Sequence, residues 1–164
     1  MGPASQQGRD AATADPLTRP PLLYLGCLIL GLVLDHVWPL PLALPVTALG
    51  CWMAGGGLIL LGVAIMATGI RNFSRAATPV PSNQPVRALV TTGIHGWSRN
   101  PIYVGMFLLY GGIGLAARSP WMLVLTLPLA ITLRYGVVAR EEAYLERRFG
   151  DTYRAYKARV RRWL

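Results

Sequence analysis

Apolar and polar positions fall in long blocks along this chain, with apolar runs over about 21–38, 46–70, 102–117 and 120–138. A helix rises about 1.5 Å per residue and a hydrocarbon core is about 30 Å thick, so each run predicts a transmembrane helix, the third being the shortest. The first run ends at Asp35 and His36, ahead of Pro39, Pro41 and Pro45, which lack the backbone donor a helix needs. The Asp35–His36 pair reads as an interfacial helix end, since no further ligand-type residue is near it. In the second run Gly55, Gly62 and Gly69 recur at seven-residue spacing, as do Gly50 and Gly57, predicting a small-residue face for close helix packing. Glycines 55–57 are not a phosphate loop, because no Lys-Ser/Thr follows and the segment is apolar. Only Arg118, Ser119 and Pro120 separate the third and fourth runs, which predicts a tight antiparallel hairpin.

Residues 71–99 are polar, with Pro79, Pro81 and Pro85 setting an extended path, and 86–92 is rich in β-branched residues that favour a strand. Beyond 138 the pattern becomes amphipathic: Leu145, Phe149, Tyr153 and Tyr156 keep helical spacing among basic residues. A C-terminal helix over 139–160 is expected to rest on the membrane surface or on the loop above it, with Gly150 as a candidate break. Residues 1–20 are polar, carry no apolar signal centre and predict a disordered tail. The expected fold is an all-α membrane protein, one domain over 21–164 with about four transmembrane helices, a loop over 78–101 and the amphipathic helix.

Composition agrees, since 53% hydrophobic and only 14% charged residues could not cover a soluble domain of 164 residues. The net charge of +9 suits anionic lipid headgroups better than nucleic acid, because the basic residues alternate with membrane-length runs. Cys27 and Cys51 lie inside apolar runs, as small buried hydrophobes do, and no metal site is expected. Arg118 is the one basic residue in the loops joining the first to the second and the third to the fourth run. Both termini and the 78–101 loop are therefore expected on the cytoplasmic side of a multi-pass protein, in a membrane such as the bacterial inner membrane.

Two blocks carry candidate chemistry. Residues 89–105 place Gly93, His95, Gly96, Trp97, Arg99, Asn100, Pro101, Tyr103 and Gly105 just before and into the third run, and Glu141–Glu142 is the only adjacent acid pair in the chain. Together with Leu145, Phe149, Gly150, Tyr153 and Tyr156, they resemble the isoprenylcysteine carboxyl methyltransferase and phospholipid methyltransferase superfamily. Its pattern runs Gly-x-Tyr, Arg-His-Pro or Arg-Asn-Pro, x-Tyr-x-Gly, then Glu-Glu-x-x-Leu and Phe-Gly-x-x-Tyr-x-x-Tyr. The match covers about 78–156, roughly half the chain. The resemblance implies S-adenosylmethionine, with S-adenosylhomocysteine as product, bound between the loop and the C-terminal helix. It also implies backbone contacts from Leu89 and Val90, a pocket shaped by His95, Asn100, Pro101 and Tyr103, and acidic contacts from Glu141 and Glu142. His95 stands where many members have Tyr, and Asn100 is nearer the phospholipid branch, so the acceptor is open between an isoprenylcysteine-like carboxylate and a phospholipid amine.

Physical chemistry points the same way. A sulfonium, an amino-acid tail, a diol and an adenine call for acids, aromatic faces and backbone groups, and Trp97 or Tyr103 could meet a cation or adenine face at about 0.5–2 kcal/mol. Both rings equally suit an aromatic belt, and Arg99 suits a lipid phosphate. Adjacent glutamates point about 100° apart on a helix, so one at most faces the site while the other is solvated or pairs with Arg140 or Arg147. His95 reads as a general base or as a hydrogen-bonded loop residue. Arg134, near the end of the fourth run, is expected to face an interior cavity and orient the acceptor, as a catalytic residue beside His95. The leading expectation is a membrane methyltransferase acting on a membrane-borne acceptor, and the other is a non-enzymatic helix bundle that binds lipid or aids assembly.

Overall fold

The computed structural model describes residues 19–40, 47–80 and 85–164. The tail over 1–18 and the residues Pro41, Pro45 and Pro81, to which the sequence assigns disorder and chain direction, lie outside the described residues. Among the described residues the helices are α1 (Pro20–Val37), α2 (Ala48–Arg75), α3 (Pro101–Ala116), α4 (Pro120–Thr132) and α5 (Ala139–Arg159), with a 3₁₀ turn at Gly93–Gly96 and a π-helical stretch at Leu133–Val138. Proline opens α1, α3 and α4, where its missing N–H costs nothing. Thr47 caps α2 by accepting from the Gly50 N–H (3.1 Å), and Ser119 caps α4 by accepting from the Met122 N–H (3.1 Å). The predicted hairpin is present, its turn made by Arg118 at φ 53°.

Among the described residues three helices are long and apolar enough to cross a membrane, namely Pro20–Val37, Ala48–Arg75 and the continuous helix Pro120–Arg159, while α3 is apolar but shorter. The chain is an all-helical integral membrane protein. The fourth run and the amphipathic helix are thus one helix, bridged by the π stretch and bent at Gly150, whose φ of 52° few other residues adopt. The strand expected over 86–92 does not form. Its backbone donors go to side chains instead: the Val86 N–H to Tyr144 Oη (3.1 Å) and the Arg87 N–H to Thr78 Oγ1 (2.8 Å).

The glycine spacing explains how α2 meets α3. An added Cβ would sit 2.6 Å from the Gly112 carbonyl oxygen at Gly55 and 2.6 Å from the Gly105 carbonyl oxygen at Gly62. Gly57, off this stripe, is not used: a Cβ there would meet nothing within 4 Å. Gly62→Val forces two backbones apart and is expected to destabilise the protein by ~2 kcal/mol or more. Gly57→Val serves as the control with little loss, and thermal unfolding in detergent compares them; equal melting temperatures would show that α2 and α3 do not pack through this stripe. On the other side Gly31 of α1 packs on Met122 of α4, and Tyr24 lies edge-on to Phe107 and Tyr110 of α3. The bundle brings the start of α1, the end of α2, the 85–100 loop and α5 to one end.

Candidate active site

At that end the loop is pinned between α2 and α5. Phe73 of α2 meets the His95 ring edge-on at 4.8 Å, and Asn72 Nδ2 donates to the Thr92 carbonyl (3.0 Å) while standing 3.4 Å from His95 Nδ1. From α5, Tyr156 Oη donates to the His95 carbonyl (2.6 Å), and Tyr144 holds Val86 as above. Tyr144 and Tyr156 are therefore loop anchors, and Tyr153 is buried beside Tyr156. Leu145 and Phe149 pack against the buried pair Val86 and Tyr144, so the amphipathic face of α5 rests on the loop.

Two adjoining cavities lie between loop and helices, and Phe73, His95, Arg99, Asn100 and Glu141 line both. Pro101 and Tyr103 complete the first, about 140 Å³, and Leu89 and Val90 the second, about 40 Å³. Of the residues singled out in the sequence, Leu89, Val90, His95, Asn100, Pro101, Tyr103 and Glu141 thus share one place. Glu142 and Arg134 do not.

The two adjacent acids have different surroundings. Glu141 is buried and accepts from Tyr103 Oη (2.8 Å). Burial pushes its carboxyl up to about 8, the Tyr103 hydrogen bond opposing and the neighbouring Glu142 charge adding to the rise. Glu142 instead takes both Arg162 Nε (2.9 Å) and Arg162 Nη2 (2.8 Å), and Arg99 Nη2 at 3.2 Å. Its partners are these two arginines, not the Arg140 or Arg147 that helical spacing suggests. Arg99 is consequently buried under the loop and does not meet a lipid surface.

Sequence reasoning missed Arg162 and the segment around it. Residues 160–164 turn back across the loop, where the Arg161 carbonyl accepts from the Arg99 N–H (3.0 Å) and the Arg162 carbonyl from Asn100 Nδ2 (3.0 Å). Trp163 then packs edge-on to Phe107 at 6.3 Å. A basic residue in a basic tail carries no pattern that marks it, whereas Arg99 lay inside the recognisable block.

His95 is neutral at ordinary pH, because burial lowers its pKa to about 4. Trp97 is 82% exposed, which suits a headgroup-level ring and takes it out of the cavity. Arg134, expected to face an interior cavity, is exposed and lies 5.4 Å from the Tyr135 ring. The π stretch is the cause. Seven residues at about 100° each would put Arg134 and Glu141 on one face, but wider i→i+5 turns rotate that register and turn Leu133, Val137 and Val138 inward instead. Arg134 does line an open groove of about 500 Å³ with Phe107, Leu108, Tyr135 and Trp163, on the outer side of α3 and α4.

The profile of the phospholipid methyltransferase family matches residues 50–152. The protein-S-isoprenylcysteine O-methyltransferase of Saccharomyces cerevisiae is 31% identical over 114 residues, 70% of this chain and 46% of that protein. An uncharacterized protein of Haemophilus influenzae is 70% identical over 27 residues, 16% of this chain and 43% of that one. The chain spans less than half the length of these curated relatives, and no solved structure matches it. The family match runs from α2 through the loop to α5, taking in most of the cavity walls, and on that ground the chain belongs to the phospholipid methyltransferase family, within the superfamily that includes the isoprenylcysteine methyltransferases.

Proposed function

We propose that this protein transfers a methyl group from S-adenosylmethionine to a membrane-borne acceptor, with the donor held in the paired cavities. The observation that carries the reading is Glu141, a buried carboxyl with no cationic partner among the described residues, facing two adjoining cavities that His95 also lines, with Tyr103 in the first and Leu89 and Val90 in the second. A ligand bearing an ammonium or sulfonium supplies the missing charge, and an apolar wall with few polar groups suits an adenine. The cavities are smaller than the 300 Å³ or so of a typical ligand site, so binding widens them, and the loop, which has no ladder to break, is the wall that yields. When bound, the donor supplies an electrophilic methyl. The chain's own part is to exclude water and align the acceptor, the contributions that matter most in an in-line displacement.

The groove beside Arg134 and Trp163 is the acceptor's route from lipid, and Arg134 meets its polar end. A carboxylate acceptor needs no general base. For an amine acceptor Glu141, at about 8, is better matched to neutral pH than His95 at about 4, so the assignment of His95 as base is the weaker of the two. The loop end faces the cytoplasm, where the donor is, and impermeant labelling of a cysteine placed in α5 checks that orientation. Activity is tested by incubating purified protein with methyl-labelled donor and either a bacterial lipid extract or a prenylcysteine. Label transferred by the wild type and lost in Glu141→Gln is expected. No transfer to either acceptor, with no donor binding, would return the chain to a non-enzymatic helix bundle.

A further inference from the structure

Arg99 carries more positive charge into this site than the contacts around it consume. Its side chain is only 8% exposed and lines both cavities, yet one nitrogen alone, Nη2, has a partner, in Glu142. Nε and Nη1 are buried without a hydrogen-bond partner among the described residues. A guanidinium so placed loses its water and regains a fraction of its hydrogen bonds, an arrangement that costs stability unless something else completes it. Glu142 cannot, because Arg162 already holds both of its oxygens. The cluster of Arg99, Arg162 and Glu142 carries one net positive charge. Glu141 across the cavity does not cancel it, being directed to Tyr103.

We propose that Arg99 holds a ligand carboxylate in this cavity, through the guanidinium nitrogens that Glu142 leaves free. One net charge suits a monoanion, whereas a phosphate dianion would exceed it. The inference rests on the methyl-donor reading. With Glu141 taking the ammonium and Arg99 the carboxylate, the two would grip an amino-acid tail at both ends and leave the rest of the ligand to the apolar wall. The same chemistry is offered by the carboxylate of a prenylcysteine acceptor, so the two sources must be separated.

The test is calorimetric and needs no turnover. S-adenosylhomocysteine, its decarboxylated analogue and 5′-methylthioadenosine are titrated into the full chain and into Arg99→Gln and Arg99→Lys. Arg162 stays paired with Glu142 in both variants, and the dissociation constant reports on the folded fraction, so partial unfolding alters stoichiometry and not the comparison. The wild type is expected to prefer S-adenosylhomocysteine to the decarboxylated analogue by about tenfold to a hundredfold, the range of a charge-assisted hydrogen bond. Arg99→Gln removes that preference and Arg99→Lys retains part of it. If instead the donor analogues show no carboxylate preference, but a prenylcysteine binds tenfold better than its methyl ester and Arg99→Gln equalises them, the carboxylate is the acceptor's. A preference that persists in Arg99→Gln, or no carboxylate preference in either series, overturns the inference while the methyl-donor reading stands. No binding of any nucleoside to the wild type would remove both.

Discussion

Glu142→Gln will destabilise the protein by ~2–4 kcal/mol, while Glu141→Gln, one residue away, will match the wild type in acid and become the more stable of the two as pH rises from about 4.5 to 8. Among the described residues Glu142 is the sole counter-charge to Arg99 and Arg162, bound to the second through two hydrogen bonds of 2.9 and 2.8 Å. Deleting one member of a buried ion pair costs about 3–5 kcal/mol, because the charge left behind has no water to return to. Arg162 is partly exposed and recovers some hydration, so the lower part of that range is expected. The loss spreads to the loop, since the same segment that carries Arg162 also binds the Arg99 N–H and the Asn100 side chain. Glu141 behaves oppositely. Its carboxyl is raised from an ordinary 4.5 to about 8, so between those values the folded state keeps a proton that the unfolded chain has released. Stability contributed by the protonated form is therefore full below about 4.5 and is lost as pH rises to 8, a loss Glu141→Gln does not suffer. Thermal unfolding at pH 6, 7 and 9 separates the two; equal losses at all three would show that the acids are equivalent surface groups.

The affinity of the wild type for S-adenosylhomocysteine will rise about tenfold between pH 6.5 and 7.5. A cationic ammonium binds the ionised form of Glu141, which is the minor form below about 8, so ligand binding expels a proton and each unit of pH below that point costs about 1.4 kcal/mol. His95, which lines the same cavities, is neutral above about 4 and so does not add a slope in this range. Glu141→Gln will bind more weakly and without that slope. Calorimetry in two buffers of different ionisation enthalpy counts the released proton directly, and a flat wild-type profile would mean that the ligand's cation does not meet Glu141.

Much of this arrangement was legible in the sequence because it depends on periodicity. Membrane-length runs, a three-residue hairpin turn and the glycines at seven-residue spacing each have one structural solution, and the two motif blocks do meet at one end of the bundle. That Glu141 and Glu142 point to different surroundings follows from the turn of a helix alone. What stayed hidden depends on where distant segments land. The spacing within α5 offered Arg140 and Arg147 to Glu142, but Arg162 reaches it only because residues 160–164 fold back over the loop. The register of Arg134 failed because no residue pattern announces a π stretch, and a change in winding redirects every side chain on the N-terminal side of it. Residues 86–92 have strand-like composition and form no strand, since the hydroxyls of Thr78 and Tyr144 take backbone donors that a ladder would use.

The central claim, that a nucleoside methyl donor binds between the loop and α5, is tested most directly by hydrogen–deuterium exchange on the purified protein with and without S-adenosylhomocysteine. Protection is predicted in 86–104 and 139–156, with residues 48–62 of α2 unchanged as the internal reference. Unaltered exchange in both predicted segments at saturating ligand, or protection confined to the groove beside Arg134, would contradict it.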